Sequence, residues 1–205
     1  MKLFLIGGGH PERGETRYID KEIAKHVPKQ ATAVLIPFAL EEKFQSSAFD
    51  RFNKIYRDEL HFKTQALKAT DSLQDMIKKL SESDIIYLWG GKTKWLLESL
   101  KKFSLETQLK ILSKTKVIVG NSAGAIALCS YGITDDKTLI RGTGIVRMIC
   151  DVHSNKTDNE QVLRDACRKF NLEGVALDEC TALAIINGKE QFVKREGTNI
   201  VLVKN

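Results

Sequence analysis

No apolar run in the 205-residue sequence reaches the roughly 18 residues of a membrane-spanning helix, so no membrane association of that kind is expected. The opening segment Met1-Lys2-Leu3-Phe4-Leu5-Ile6 offers only four apolar residues before Gly7-Gly8-Gly9. That is too short for the core of a signal peptide, and it reads instead as a buried strand of a cytoplasmic protein. Cysteine is scarce: Cys129, Cys150, Cys167 and Cys180 form no C-x-x-C pair and no Cys/His cluster of zinc spacing. No metal, no cofactor and no disulfide is therefore expected, and most of these thiols read as small buried hydrophobes. A dense basic tract is also missing. The net charge of +6 comes from 32 Lys and Arg against 26 Asp and Glu, scattered along helical segments. With no nucleic-acid module present, nucleic acid is not an expected partner, and the excess reads as an aid to solubility. No internal repeat, linker or low-complexity segment interrupts the chain, which reads as a single domain over residues 1–205.

What the sequence does have is alternation. Apolar runs rich in β-branched residues at 3–6, 33–37, 62–67, 84–89 and 116–119 alternate with stretches of helical spacing at 16–26, 43–60, 72–80, 93–100, 105–112 and 123–129. Asp71 and Ser72 are cap residues for the third of these helices. This pattern predicts an α/β fold with a doubly wound, mostly parallel sheet and helices on both faces. Ligands in such sheets bind outside the carboxyl ends of the strands. Glycines stand at those ends: Gly7–Gly9, Gly90-Gly91 and Gly120. The last third differs. Short strands at 181–186, 191–194 and 199–203, with turns at Asn187-Gly188 and Gly197, predict a C-terminal antiparallel meander added to the sheet.

The strongest chemical signal is Gly120-Asn121-Ser122-Ala123-Gly124, placed between an apolar strand and a helix-compatible run. A G-x-S-x-G in that context predicts a nucleophile elbow. The sharp turn needs small neighbours, because strand and helix backbones approach closely. It presents the Ser122 hydroxyl at a helix N-terminus, where free N–H groups and the helix dipole favour negative charge. The Ala123 N–H is a natural oxyanion donor. Gly90-Gly91, ending another strand, is a candidate source of the second donor. The bland alternative is a Gly-rich turn that binds phosphate.

A neutral serine needs a base. Among the four histidines, His26 falls inside a helix and His61 precedes a strand, so both read as structural. His10 follows the glycine triplet. His153 follows the apolar run 148–152 and is the only histidine after Ser122. His153 is favoured as base over His10. The acid that would orient it has six candidates: Asp135, Asp136, Asp151, Asp158, Asp178 and Glu179. Asp178 and Glu179 end the strand-like run 174–177, and the residues alone leave these neighbours undecided.

Taken together, Trp89-Gly90-Gly91-Lys92-Thr93, Gly120-Asn121-Ser122-Ala123-Gly124-Ala125, Asp151-Val152-His153 and Leu177-Asp178-Glu179-Cys180-Thr181 resemble the aspartyl dipeptidase (peptidase E) and cyanophycinase family of serine peptidases. The resemblance covers residues 85–186. It implies a fold like that of the class I glutamine amidotransferases (flavodoxin-like) and a Ser122–His153–Glu179 triad, with Gly91 and Ala123 as oxyanion donors. It also implies a short peptide substrate with N-terminal aspartate, Gly90 beside it, and a carboxylate-binding arginine beyond the histidine, for which Arg164 is the nearest match. A monomer or homodimer would suffice. Three positions depart from the family pattern: Lys92 for the usual asparagine, Ser154 for an aromatic, and Cys180 for a glycine or polar residue. These bear on substrate preference. A different acyl substrate (an ester or a β-aspartyl polymer) and a non-catalytic binding protein on the same fold are the alternatives.

Overall fold

The computed structural model describes residues 1–204. Residue 205, the end of the expected domain, lies outside the described residues. The chain runs β1 (Lys2–Ile6), α1 (Arg17–Ala24), β2 (Thr32–Ile36), α2 (Glu42–Tyr56), β3 (Lys63–Ala66), α3 (Leu73–Glu82), β4 (Ile85–Leu88), α4 (Thr93–Lys102), α5 (Leu105–Leu112) and β5 (Val117–Asn121). It continues through α6 (Ala123–Leu128), β6 (Cys129–Ile133), β7 (Leu139–Arg141), β8 (Val146–Val152), α7 (Glu160–Phe170), β9 (Glu173–Leu177), β10 (Ala182–Ile186), β11 (Lys189–Val193) and β12 (Ile200–Val203).

The first ten elements follow the expected alternation. In the main sheet, ordered β11-β10-β1-β5-β4-β2-β3, strands β1 to β5 are all parallel. Side chains alternate across it, as the period of two requires. Leu3, Leu5, Val34, Ile36, Ile86, Leu88 and Ile118 face one core, with Leu80 of α3 and Leu96 and Leu100 of α4. Phe4, Ile6, Leu35, Tyr87 and Val119 face the other, with Ile19 and Ile23 of α1 and Phe52 and Tyr56 of α2. The amphipathic spacing of these helices is what lets each cover one face. Helix α3 begins where its cap predicts: the Ser72 side chain accepts the Asp75 N–H at 3.1 Å.

Two differences from expectation shape the site. The segment 123–129 is not all helix, because α6 ends at Leu128 and Cys129 opens a strand. That strand belongs to a second sheet, ordered β12-β9-β8-β6-β7, which residue spacing did not reveal. Its core strands β6, β8 and β9 are parallel. The C-terminal meander is also divided. Only the β10–β11 hairpin joins the main sheet, turning at Asn187 and Gly188 with φ of 52° and 82°. Strand β12 instead pairs antiparallel with β9. The reason is the turn around Gly197 (φ 76°), closed by the Thr198 hydroxyl donating to the Arg195 carbonyl, together with the burial of Ile200 and Val203 on opposite faces of the second sheet. Helix α6 lies between the two sheets and is buried along its whole length, which explains a sequence with no polar side chain from Ala123 to Leu128.

Candidate active site

The site is built at the carboxyl end of β1. Three consecutive carbonyls there each accept one backbone N–H: Ile6 from Ser122 at 2.9 Å, Gly7 from His153 at 3.0 Å and Gly8 from Cys180 at 3.0 Å. One short stretch of main chain thus ties together the end of β5, the end of β8 and the loop after β9. Gly8 must be glycine on two grounds. Its φ is +110°, and a Cβ would overlap the His153 imidazole. The glycine triplet was noted in the sequence as a strand end. Its role as the seat of the histidine needed the fold to become visible.

Ser122 sits between β5 and α6 with φ 49° and ψ −110°, a sparsely populated conformation for a residue with a side chain. The turn has the strained geometry that a nucleophile elbow requires. Gly120 and Gly124 allow it, since a Cβ on Gly120 would meet the Gly124 backbone at 2.5 Å. The Ser122 hydroxyl lies 2.8 Å from His153 Nε2. His153 Nδ1 lies 2.9 Å from Glu179 Oε1. Burial by itself would raise the Glu179 pKa. Hydrogen bonds from Lys156 and from His153 outweigh it and hold the carboxyl below its ordinary value. An ionised carboxylate only accepts, so His153 donates through Nδ1 and leaves the Nε2 lone pair facing the Ser122 hydroxyl. The arrangement can therefore draw a proton from Ser122 and hold the positive charge that results.

Of the neighbouring acids, Asp178, Asp151 and Asp136 are engaged elsewhere. Asp178 accepts the Ser154 hydroxyl through Oδ1 at 2.7 Å and the Asn199 N–H through Oδ2 at 2.7 Å. Asp151 is buried in β8 and accepts Asn159 Nδ2 at 2.9 Å; burial pushes its pKa up to about 6, against that hydrogen bond. Asp135 and Asp158 line the depression of about 510 Å³ that holds His153, Lys156 and Glu179. Asp136 caps the β6–β7 turn by accepting the Thr134 hydroxyl. His10 lies beyond the glycine triplet, where its backbone N–H donates to Glu15.

Gly90 packs against Ser122, a Cβ there falling 3.3 Å from the Ser122 Cβ. Gly91 has φ +141° and abuts Ala39, so the Gly90-Gly91 turn is pressed between Ser122 and the loop after β2. Ala123 is the first residue of α6, and its N–H is one of the donors that a helix start leaves without an intrahelical partner. Arg164 is not brought to this group. It lies on α7, pairs with Glu160 Oε1 through Nε at 3.0 Å and Nη2 at 2.7 Å, and lines a separate depression with Arg168, Asn171 and Lys204. The helix carries its side chain away from the end of β8 where His153 stands. The cation beside the triad is Lys156, 2.6 Å from Glu179 Oε2.

Residue reading missed Lys156 and also Asn155, whose side-chain oxygen accepts the Glu179 N–H at 2.9 Å. Both lie in the polar loop after His153, where only the histidine carried a signal. All four cysteines are unpaired and buried. Cys180, at φ 59°, has its thiol pKa raised, chiefly by burial. Among the described residues, no cluster of three or more His, Cys, Asp or Glu side chains is placed to hold a metal ion, and no helix is long and apolar enough to cross a membrane.

Comparison with known proteins gives a family. The model of peptidase family S51 matches residues 3–193. The uncharacterized peptidase YgaJ of Bacillus subtilis is 32% identical over 119 residues, which is 55% of this chain and 52% of YgaJ. The uncharacterized peptidase Lmo0363 of Listeria monocytogenes is 39% identical over 59 residues, 28% of this chain and 29% of that protein. The chain thus spans about half the length of the first of these relatives and less than a third of the second. A crystal structure of a Listeria monocytogenes EGD-e protein, provisionally named a peptidase E, superposes with a TM-score of 0.72 at 20% identity, covering 95% of this chain and 98% of that one. A peptidase from an acI-B1 actinobacterium superposes with a TM-score of 0.58 at 18% identity, covering 97% and 96%. At those identities the two structures establish the shared mixed α/β fold.

Proposed function

We propose, from the premise that this chain belongs to peptidase family S51, that it is a serine peptidase cleaving short peptides with aspartate on the acyl side of the scissile bond. The observation that carries the catalytic reading is the relay Ser122 Oγ–His153 Nε2 and His153 Nδ1–Glu179 Oε1, with separations of 2.8 and 2.9 Å. His153 takes the Ser122 proton as the hydroxyl attacks the peptide carbonyl, and Glu179 stabilises the imidazolium. The Gly91 and Ala123 N–H groups receive the developing oxyanion. His153 then returns the proton to the leaving amine. Water, activated by the same imidazole, hydrolyses the acyl-enzyme.

The aspartate preference rests on family membership and on the motifs shared with aspartyl dipeptidases. Lys156, on the wall of the depression beside His153, is the cation we assign to the aspartyl carboxylate in place of Arg164. The test is a dipeptide library assayed alongside a fluorophosphonate probe. Labelling of the wild type but not of Ser122→Ala, with Asp-Leu cleaved well ahead of Asn-Leu, is the expected result. An unlabelled wild type ends the catalytic reading. Labelling with equal turnover of Asp-Leu and Asn-Leu ends only the aspartate preference.

A further inference from the structure

Glu179 is followed by a strained piece of chain. Cys180 has a φ of 59°, a left-handed conformation that a residue with a Cβ rarely adopts. Such a conformation persists only where the surroundings hold it from several directions. Here each polar group of Cys180 has a partner. Its N–H donates to the Gly8 carbonyl at 3.0 Å. Its thiol donates to Glu15 Oε2 at 3.8 Å. Its carbonyl accepts the Tyr18 hydroxyl. Glu15 and Tyr18 both belong to the short segment that leads into and opens α1.

That segment is itself fixed from behind. Thr16 is buried, and its hydroxyl donates to Asp20 Oδ2 at 3.3 Å, while the Tyr56 hydroxyl of α2 donates to Asp20 Oδ1 at 2.9 Å. Ile19 and Ile23 pack the same helix against the main sheet. Gly9 lets the two parts come close: its φ is +118°, and a Cβ there would lie 2.9 Å from Cys180 Sγ and 3.2 Å from Thr16 Cγ2. A carbonyl only accepts, so the Tyr18 hydroxyl is the donor. Burial raises its pKa, which keeps the proton in place.

We infer that Tyr18 is a positioning residue for Glu179: by holding the Cys180 carbonyl, its hydroxyl keeps the left-handed turn closed and the Glu179 carboxylate on His153 Nδ1. The inference rests on the catalytic reading of Ser122, His153 and Glu179 above. The coupling is short, because the Glu179 carbonyl carbon is bonded directly to the Cys180 nitrogen. Without the Tyr18 bond, Cys180 relaxes towards negative φ, and the Glu179 peptide turns with it. The Glu179 N–H stays held by Asn155 Oδ1 at 2.9 Å. The acid is therefore misaligned rather than lost, and the effect is smaller than that of removing Glu179 itself. A helix on the face of the main sheet thus bears on the acid that follows β9.

The experiment measures the rate of Ser122 labelling by a fluorophosphonate probe, together with kcat and KM for Asp-Leu. It compares the wild type, Tyr18→Phe, Glu179→Gln and the double variant. Tyr18→Phe keeps the half-buried ring and its packing and removes only the hydroxyl, so folding is not threatened. It should slow labelling and lower kcat by about tenfold, with KM nearly unchanged. In the Glu179→Gln background the same change should cost less than about twofold, because the charge it served to align is already gone. A tyrosine that only supports the fold would cost both backgrounds alike. Unchanged labelling in Tyr18→Phe, or an equal loss in both backgrounds, overturns the positioning role and leaves the catalytic reading standing. A wild type that is neither labelled nor active on Asp-Leu overturns both.

Discussion

The two sheets contribute differently to the site. The main sheet supplies the candidate nucleophile and both candidate oxyanion donors, each from a short glycine-bearing turn directly after a strand: Ser122 and Ala123 after β5, and Gly91 after β4. The second sheet supplies the candidate base, His153, from the end of β8 and the candidate acid, Glu179, just after β9. The first set is local. A few consecutive residues create the turn, and their smallness is written into the sequence. The second set is relational: His153 and Glu179 become a pair only because β8 and β9 run parallel side by side, with Val152 opposite Leu177. One sheet thus presents the candidate nucleophile and the other the candidate base and acid.

The largest effect should come from removing either half. Ser122→Ala and His153→Ala are each expected to lower kcat by several orders of magnitude, and the double variant should be hardly worse than either single one. Steady-state kinetics on a cleaved dipeptide measure this. Additive losses would mean that the two sheets act independently. Glu179→Gln keeps the side-chain volume but loses the charge facing the imidazolium. It should cost roughly a hundredfold to ten-thousandfold in kcat, whereas Asp178→Asn should cost much less, since Asp178 serves Ser154 and the Asn199 backbone. The reverse ranking would transfer the acid role to Asp178.

Gly8→Ala sharpens the comparison, because Gly8 belongs to the main-sheet side yet abuts the second sheet's histidine. The added methyl displaces the imidazole and strains a φ of +110°. A loss of about a hundredfold in kcat is expected, as displacements of an ångström can cost that much. Labelling of Ser122 should slow in proportion, because both reactions need the aligned base. The smallest effect should be thermodynamic. Asp151 has a folded-state pKa of about 6 against an ordinary 3.8, so the folded protein retains a proton that the unfolded chain has lost in that window. Stability therefore falls as pH rises from about 4 to 6. Asp151→Asn should remove that part of the slope, gaining on the order of 2 kcal/mol over the wild type between pH 4 and pH 7. Parallel melting curves for the two proteins across this range would show that the burial of Asp151 carries no such penalty.

The contrast between the sheets also accounts for what could be read in the residues. Strands β1 to β5 are short apolar runs flanked by amphipathic helices, a pattern that survives without knowledge of partners. The Gly120–Gly124 turn between β5 and α6 was legible for the same reason. Strands β6 and β7 were not. Cys129-Ser130-Tyr131-Gly132-Ile133 follows α6 without a loop, and Leu139–Arg141 is three residues long. Strand β12 was visible, but its placement was not, because the Gly197 turn sends it to β9 rather than back to β11. The choice between Asp178 and Glu179 illustrates the limit most sharply. Adjacent acids after one strand differ only in which way each side chain leaves the backbone, and no local pattern records that. Arg164 faced the same limit from the other side: its position in the sequence was right for the site, but the turn of α7 commits it to Glu160.

The ladder of three N–H groups on Ile6, Gly7 and Gly8 has a consequence in time. Each rung joins residues more than a hundred positions apart, and contacts of such separation form late because loop closure must be achieved before they contribute. A chain emerging from the ribosome presents Ser122 long before Glu179 has been synthesised. Until β9 docks and the loop after it bonds to Gly8, the serine is an ordinary alcohol with no base held against it. The fold therefore sets a sequence of events, in which Ser122, His153 and Glu179 meet only after the last of the three segments has been made, an order written into the order of the residues.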